Sequence, residues 1–278
     1  MKTINKSTWL TAIVGCMIVA ACSKEVTVPE MEDGKISFYN ASEKLRDETK
    51  SPIGGNRIFV LVDSKDTNYV PVDAIYKHPF FSEENPYQYP QPLSYNNKQL
   101  VQWQVYMRMA AGKHTLLLTD SSHRTLINSE VTTANGQPVT VFYADKDGVF
   151  STWAVPDHLQ WEDNKVRLRM MNFCPDGAPV FFTINGSVPT EYAAETKYGD
   201  IQDFKSFAAK PLDTMRIKFY QATDKENPVA ATTLYMEAGH SYTVLLRGYA
   251  NAHTYIDPVT KQQVSMPATL KATAIKNY

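Results

Sequence analysis

Few side chains of this sequence stand at spacings that support catalysis. The six histidines include no i,i+4 pair and no His-Glu-x-x-His motif, and the three cysteines form no Cys-x-x-Cys, so a zinc site is disfavoured. The glycine patterns of serine hydrolases, phosphate-binding loops and dinucleotide-binding folds are absent as well. The sequence therefore predicts no metal, no cofactor and no enzymatic activity.

Two pairs of acidic residues, Glu83 with Glu84 and Asp145 with Asp147, have the side chains that glycoside hydrolysis requires. That reaction needs two carboxyl groups about 5 to 9 Å apart across the scissile bond, whereas acids this close in sequence are more typical of exposed loops. The run from Asp145 to Gly148 also offers oxygen ligands for calcium, but it lacks the remaining ligands of an EF-hand. A hairpin turn is the better interpretation of this run.

Aromatic side chains in one proline-rich stretch are the feature most suited to binding. The candidate ligand-binding residues are Phe80, Phe81, Tyr87, Tyr89, Tyr95 and, on a following strand, Trp103. Exposed aromatic faces stack on sugar rings or on partner chains, and neighbouring amides such as Gln88 and Asn96 suit hydroxyl groups. The alternative is that these rings pin a long loop onto its own domain, as in compact surface loops.

The N-terminus has the organisation of a bacterial lipoprotein signal. Lys2 and Lys6 precede an apolar run over residues 9–21, which is too short at about 1.5 Å per residue to cross the roughly 30 Å bilayer core. Residues 19–22, Val-Ala-Ala-Cys, resemble the lipobox, in which the cysteine thiol receives a diacylglycerol and the chain is cut before it. We expect Cys22 to carry the lipid, with palmitate among its acyl chains. Several acyl chains exceed what stable membrane anchoring needs.

Cysteine usage predicts a mature chain without a disulfide. Cys16 leaves with the signal and Cys22 is lipidated, so Cys174 is the remaining thiol. A small buried hydrophobe is the favoured role of Cys174, and a reactive thiol is the alternative.

The length of the chain indicates its number of domains, and its net charge indicates which classes of partner it can bind. The 278 residues carry 28 Lys and Arg against 29 Asp and Glu, a net charge of −1. Without a basic field, the composition argues against nucleic acid as a partner. The length suffices for two domains that each bury a core.

Alternating apolar residues predict strands along the mature chain. Between Lys165 and Met170, three apolar side chains share one face and three cations share the other, which predicts a half-exposed antiparallel strand. Further runs with a period of two begin at Ile58, Trp103, Val139, Val180, Met215 and Tyr242. Asn-Gly and Asp-Gly pairs at 135–136, 147–148 and 185–186 supply tight turns. The predicted fold class is an all-β sandwich.

An internal repeat sets the predicted domain count. Residues 135–141 align with 238–244 through shared Gly, Thr and Val, and residues 34–38 align with 164–168 at an offset near 130. The offset shrinks along the chain, so the first copy must carry insertions. The predicted organisation is a signal peptide at 1–21, a lipidated tether at 22–33, a first sandwich at 34–155 with insertions near 43–55 and 78–96, a linker at 156–163 and a second sandwich at 164–278.

The second copy resembles a known domain family. Residues 169–180 (RMMNFCPDGAPV), 184–186 (ING) and 238–244 (AGHSYTV) are similar to the signature of an immunoglobulin-like domain of unknown function, family 4397. The first copy keeps residues 40–42 (NAS) and the closing stretch 136–141. The resemblance implies two tandem immunoglobulin-like antiparallel β-sandwich domains in a lipoprotein of Bacteroidetes type. It brings no known activity and no catalytic residues.

Together these features predict a non-catalytic cell-envelope lipoprotein that binds glycan or an envelope protein through loops of its first sandwich. Ser23 is not the acidic residue typical of inner-membrane lipoproteins, which favours an outer-membrane anchor with the protein on the cell surface or on the periplasmic face. The alternative is a structural or assembly protein resembling the fimbrillin pilus subunits, in which an exchanged strand completes a neighbour's sheet. Trp153 and Trp161, near the linker, are predicted to pack the two sandwiches together.

Overall fold

The computed structural model describes residues 33–49, 58–63, 80–81, 93–95, 99–120 and 122–277. Residues 32–278 form one compact unit. For residues 80–81, 93–95 and 99–102 it is the backbone that is described. The predicted signal peptide, most of the predicted tether and the lipidation site Cys22 lie outside the described residues.

Apart from one short helix, every helix or strand in the described part of the chain is a strand, which confirms the predicted all-β class. The first half contains β1 (Asp33–Asn40), α1 (Glu43–Thr49), β2 (Ile58–Val62), β3 (Phe80–Phe81), β4 (Leu93–Tyr95), β5 (Gln99–Trp103), β6 (Met107–Ala110), β7 (Gly112–Thr119), β8 (Thr125–Thr133), β9 (Pro138–Lys146) and β10 (Val149–Pro156). The second half contains β11 (Lys165–Phe173), β12 (Val180–Ile184), β13 (Ile201–Ala208), β14 (Leu212–Gln221), β15 (Asp224–Glu237), β16 (Ser241–Arg247), β17 (His253–Ile256), β18 (Gln263–Met266) and β19 (Lys271–Lys276).

Two four-stranded sheets form the first sandwich, with the orders β10-β9-β1-β6 and β3-β2-β7-β8. Alternate side chains of facing strands fill the space between them, among them Ile36 and Phe38 of β1 and Leu116 and Leu118 of β7, each at most 3% exposed. Burying one such side chain contributes about 1.5–3 kcal/mol. The period of two in the sequence is therefore explained by one face of each strand entering this core.

The second sandwich has a six-stranded sheet, β13-β11-β16-β19-β5-β4, and a three-stranded sheet, β12-β14-β15. Leu168, Val244, Ile217 and Leu234 are fully buried between them. The strands β4 and β5 come from the first half of the chain, and β5 pairs in parallel with β19. Because the first half thus completes a sheet of the second, the division of the chain at 156–163 stays a prediction.

The internal repeat is visible in the strand pairing. Each half pairs its first strand in parallel with a late strand, β1 with β9 and β11 with β16. Ile36 pairs with Val139 and Leu168 pairs with Tyr242, so Ile36 corresponds to Leu168 and not to Val166, its partner in the predicted alignment. A shift by two positions keeps every side chain on its face, so the alternating pattern alone cannot detect it.

The strands β1 and β11 also end in the same turn. The side-chain oxygen of Asn40 accepts a hydrogen bond from the Ser42 amide at 2.8 Å, and that of Asn172 accepts one from the Cys174 amide at 2.9 Å. Cys174 is 3% exposed, and burial raises the pKa of its thiol to about 11. This confirms the prediction of a small buried side chain at Cys174.

Two predicted turns have the geometry their residues suggest. Asp147 and Gly148 join β9 to β10 with φ angles of 52° and 77°, and Asn185 and Gly186 follow β12 with 50° and 88°. Two consecutive residues with positive φ are typical of type I′ hairpins, in which Asn-Gly and Asp-Gly are the preferred pairs. The hairpin interpretation of residues 145–148 is confirmed.

The prediction that β11 is half exposed is wrong. Val166, Leu168 and Met170 enter the core of the second sandwich as expected, but Arg167 and Arg169 on the opposite face are 9% and 0% exposed. That face lies against the first sandwich, which replaces the expected solvent. The pairing is also mixed, since β11 is antiparallel to β13 and parallel to β16.

A buried histidine gives the first sandwich a pH-dependent contact. His114 places Nδ1 2.7 Å from the carboxylate of Asp63 and Nε2 2.8 Å from the Ala110 carbonyl. Burial alone would lower the pKa of His114, but these two acceptors favour the protonated ring and raise it overall. The pKa of His114 is therefore higher in the folded chain than in the unfolded chain. Its protonation stabilises the fold fully below about pH 6.5, and this stabilisation is lost as the pH rises through the folded-state pKa.

We expect the free energy of unfolding to fall between pH 6 and pH 8 in urea titrations, and to fall less in His114→Gln. The Gln side chain cannot take up a proton, so its curve lacks this contribution. Equal slopes for the two proteins would contradict the assignment.

Candidate functional site

The structure divides the predicted aromatic residues between the two sandwiches. The backbone of residues 80–81 forms β3 beside β2 in the first sandwich. Tyr95 ends β4, which pairs with β5, and Trp103 at the end of β5 stands opposite Lys276 of β19. The backbone of Phe80 and Phe81 thus belongs to a sheet of the first sandwich, and that of Tyr95 and Trp103 to a sheet that also contains strands of the second half.

Tyr87 and Tyr89 lie between β3 and β4, outside the described residues. The segment 82–92 that contains them starts from a strand of the first sandwich and ends at a strand of the sheet that belongs to the second. Its two ends are thus fixed on different sandwiches.

Trp103 is half-buried against the C-terminal strand. The Nζ atom of Lys276 lies 4.5 Å from the centroid of the indole, a cation–π distance, and the same ammonium lies 2.7 Å from a carboxylate oxygen of Glu237. Burial lowers the pKa of Lys276, and the Glu237 carboxylate partly offsets that effect. One face of the Trp103 ring is therefore occupied by a residue of its own chain.

An apolar layer joins the two sandwiches. Its buried side chains are Tyr39, Ala41, Phe142, Ala144, Val155, Met171, Phe173, Leu245 and Ile275. Trp153 packs against this layer, with its ring centroid 4.8 Å from that of Phe173, and meets Tyr198 edge-on at 5.8 Å. This is the position between the sandwiches that was predicted for Trp153. Trp161 differs, because 57% of its surface is exposed.

A closed ring of polar contacts lies at one end of the apolar layer. Arg169 Nη2 is 2.6 Å from Asp157 Oδ1, and both side chains are fully buried. Arg169 Nε donates to the Thr243 hydroxyl at 3.0 Å, and that hydroxyl donates to the Asn277 amide oxygen at 2.7 Å. The Asn277 amide donates to Tyr106, which in turn donates to Asp157 at 2.8 Å. The ring joins Asp157, which follows β10, and Tyr106 of the first half to β11, β16 and residue 277 of the second.

A second buried polar cluster lies at the other end. Asp145 is 3% exposed and accepts hydrogen bonds from the hydroxyls of Tyr249, at 2.6 Å, and Ser42. Beside it, Arg247 Nη1 lies 3.0 Å from Glu43 Oε1, and both side chains are buried. Burial, and then the charge of Asp145, raise the pKa of Tyr249. Each of these contacts joins a residue of the first sandwich to one of the second, apart from the Ser42 bond.

The two described carboxylates considered for glycoside hydrolysis have different side-chain partners. Asp145 is held by Tyr249, whereas Asp147 lies 2.9 Å from the His253 imidazole. Glu83 and Glu84 lie outside the described residues.

The charged groups in these clusters bind one another. Removing one partner of such a buried pair leaves an uncompensated charge and is strongly destabilising. Within the part of the chain that the structure describes, no group of three His, Cys, Asp or Glu side chains is placed to hold a metal ion. No helix in the same residues is long and apolar enough to cross a membrane.

Sequence reasoning missed Arg169 and Asp157 as the pair that joins the sandwiches. The second face of β11 carries two arginines and also Met171 and Phe173, so this face is partly apolar. Apolar residues on both faces of a strand indicate that both faces are covered. The partner of the cation could not be found in this way, because Asp157 stands in the stretch predicted to be a linker.

No protein-family model matches the chain, and no curated protein matches it. Among solved structures, one from Bacteroides ovatus, described as a "putative cell adhesion protein", is 12% identical over 87% of this chain and 98% of that chain, with a TM-score of 0.16.

Proposed function

We propose that the chain is a non-catalytic lipoprotein of a bacterial outer membrane, which binds glycan or an envelope protein through the loops of its first sandwich. Cys22 carries the acyl chains, and residues 22–33 link the lipid to β1. The lipobox-like ending and the short apolar run before it support this anchor.

The observation that carries the proposal is the rigid joint between the sandwiches. The apolar layer has a buried polar cluster at each end, with Arg169–Asp157 at one and Arg247–Glu43 at the other. Because buried polar contacts flank the apolar layer on both sides, we expect little motion between the sandwiches. Buried charged side chains of the two halves thus pair with one another across the joint. A scaffold held in this way suits a protein that presents a binding segment.

The position of segment 82–92 supports its use as that binding segment. Because β3 and β4 belong to different sandwiches, the rigid joint sets the distance between the two ends of the segment. A segment held at both ends loses less conformational entropy when it binds a ligand.

Replacing residues 82–92 with a Gly/Ser linker of equal length should abolish binding of the ligand that this segment recognises and leave the fold intact, since β3 and β4 are retained. The measurement is the binding of soluble residues 23–278 to an array of bacterial oligosaccharides and to envelope proteins. Tyr87→Ser with Tyr89→Ser should weaken the same interactions, while Val188→Ser, which changes a 55% exposed side chain of the second sandwich, should not. Unchanged binding by the linker variant, or polymers formed by the native protein in solution, would contradict the proposal.

A further inference from the structure

Trp161 is a large apolar side chain that is exposed yet fixed in position. It lies in the segment between β10 and β11, and 57% of its surface is exposed. Its indole N–H donates to the Asp163 carboxylate at 2.7 Å, and its ring meets the His240 imidazole at 5.2 Å and 78°. The six-membered ring packs on Gly239, where a Cβ atom would come within 2.5 Å of it. One face of the indole is thus held against the protein.

The first sandwich shows that this ring is not needed for the turn beneath it. Gly136 and Gly239 occupy the same place in the repeat, before β9 and β16, with φ angles of 69° and 91°. At Gly136 no described atom lies within 4 Å of the position that a Cβ would take. The turn therefore forms without an aromatic cover, so stability of the turn does not explain an indole over Gly239.

The surroundings of Trp161 are polar. Gln160 and Asp163 are exposed. The Nε2 atom of His240 lies 3.4 Å from a carboxylate oxygen of Glu237. An apolar area one ring wide with amide, carboxylate and imidazole groups around it is small for a protein partner, whose contacts centre on larger apolar clusters. It matches a sugar, which offers one apolar C–H face and a rim of hydroxyl groups.

We propose that Trp161 is a stacking platform for a pyranose ring of glucose configuration within a β-1,4-linked glycan. All ring substituents of such a sugar are equatorial, so its faces carry only axial C–H groups, which meet the electron-rich face of an indole. Gln160, Asp163 and His240 bind the hydroxyl groups at the edge of the ring. None of these residues belongs to the binding segment 82–92, and so the site goes beyond the proposed function.

The test is an NMR titration of residues 23–278 with chitotetraose and with cellotetraose. The three indole N–H resonances come from Trp103, Trp153 and Trp161. We expect one of the two sugars to shift the Trp161 resonance, which is identified by its absence in Trp161→Phe. Trp161→Ala should weaken binding by about tenfold or more, and Trp161→Phe by less. Val188→Ala, at another exposed apolar residue of the second sandwich, should bind like the native protein.

The amide spectrum of each variant reports whether it folds, so a loss of binding in a folded Trp161→Ala is specific. The Gly/Ser variant of residues 82–92 should keep the Trp161 shift, which separates this site from the binding segment. No shift of the Trp161 resonance at millimolar sugar would overturn the proposal. A Trp161 shift that disappears with residues 82–92, or equal sugar affinity of the Gly/Ser variant with and without Trp161→Ala, would overturn it as well.

Discussion

Cells that produce the Cys22→Ala chain should lose nearly all of the protein from their membrane fraction. A single acyl chain gives only marginal, reversible membrane binding, whereas two or more hold a protein stably, at about 0.8 kcal/mol per buried CH₂. Without the Cys22 thiol the diacylglycerol has no attachment point. Fractionation after labelling with palmitate should show a labelled membrane protein for the native chain and an unlabelled soluble one for the variant.

Cys174→Ala is the matched control, because its thiol is buried in the core of the second sandwich. This variant should keep both the label and the membrane location. If Cys22→Ala stayed in the membrane fraction without palmitate, the lipoprotein assignment would be wrong.

Asp157→Ala should lower the free energy of unfolding by about 3–5 kcal/mol, because it leaves the buried Arg169 guanidinium without its counter-ion. The same change removes the acceptor of the Tyr106 and Thr140 hydroxyls. The rings of Phe142 and Phe204 lie 5.6 Å and 4.6 Å from the guanidinium carbon, but they cannot replace a carboxylate. Urea unfolding followed by tryptophan fluorescence measures the loss.

Two further variants test the reason for this loss. Asp163→Ala removes an exposed acid close by in sequence and should cost less than about 1 kcal/mol. Asp157→Leu combined with Arg169→Met removes both charges and should recover part of the stability that Asp157→Leu alone loses, since a buried pair replaced by apolar side chains is often near neutral. A cost for Asp157→Ala no larger than that for Asp163→Ala would show that the pair does not hold the sandwiches together.

Local patterns in the sequence predicted the strands and the turns well, because both depend on neighbouring residues. Alternation marks which side chains of β11 face a core, and Asp147-Gly148 marks a turn that needs two positive φ angles. The same alternation says that the second face of a strand differs from the first, without saying what covers it. Arg167 and Arg169 were therefore assigned to solvent, although a second sandwich covers them.

The candidate site was harder to predict because its parts come from distant places in the chain. The aromatic stretch was recognised by composition, but the sequence carries no signal that β4 and β5 would join the sheet that contains β19. A parallel pairing of two residues on each strand leaves no periodic pattern. Trp161 was assigned to the joint between the sandwiches by its place near the linker, and the structure places it on Gly239 and His240.

Two identical sandwiches could not meet in this way. Ser37 of β1 stands where Arg169 stands on β11, and both are buried on the faces that the sandwiches turn toward each other. Asn277 stands where Asp157 stands, since their amides donate to the Ser241 and Pro138 carbonyls and their side chains accept from the Thr243 and Thr140 hydroxyls. Two copies of the second half would therefore bury two guanidinium groups without a carboxylate, and two copies of the first would bury two carboxylates without a cation. The contact depends on the difference between the two halves.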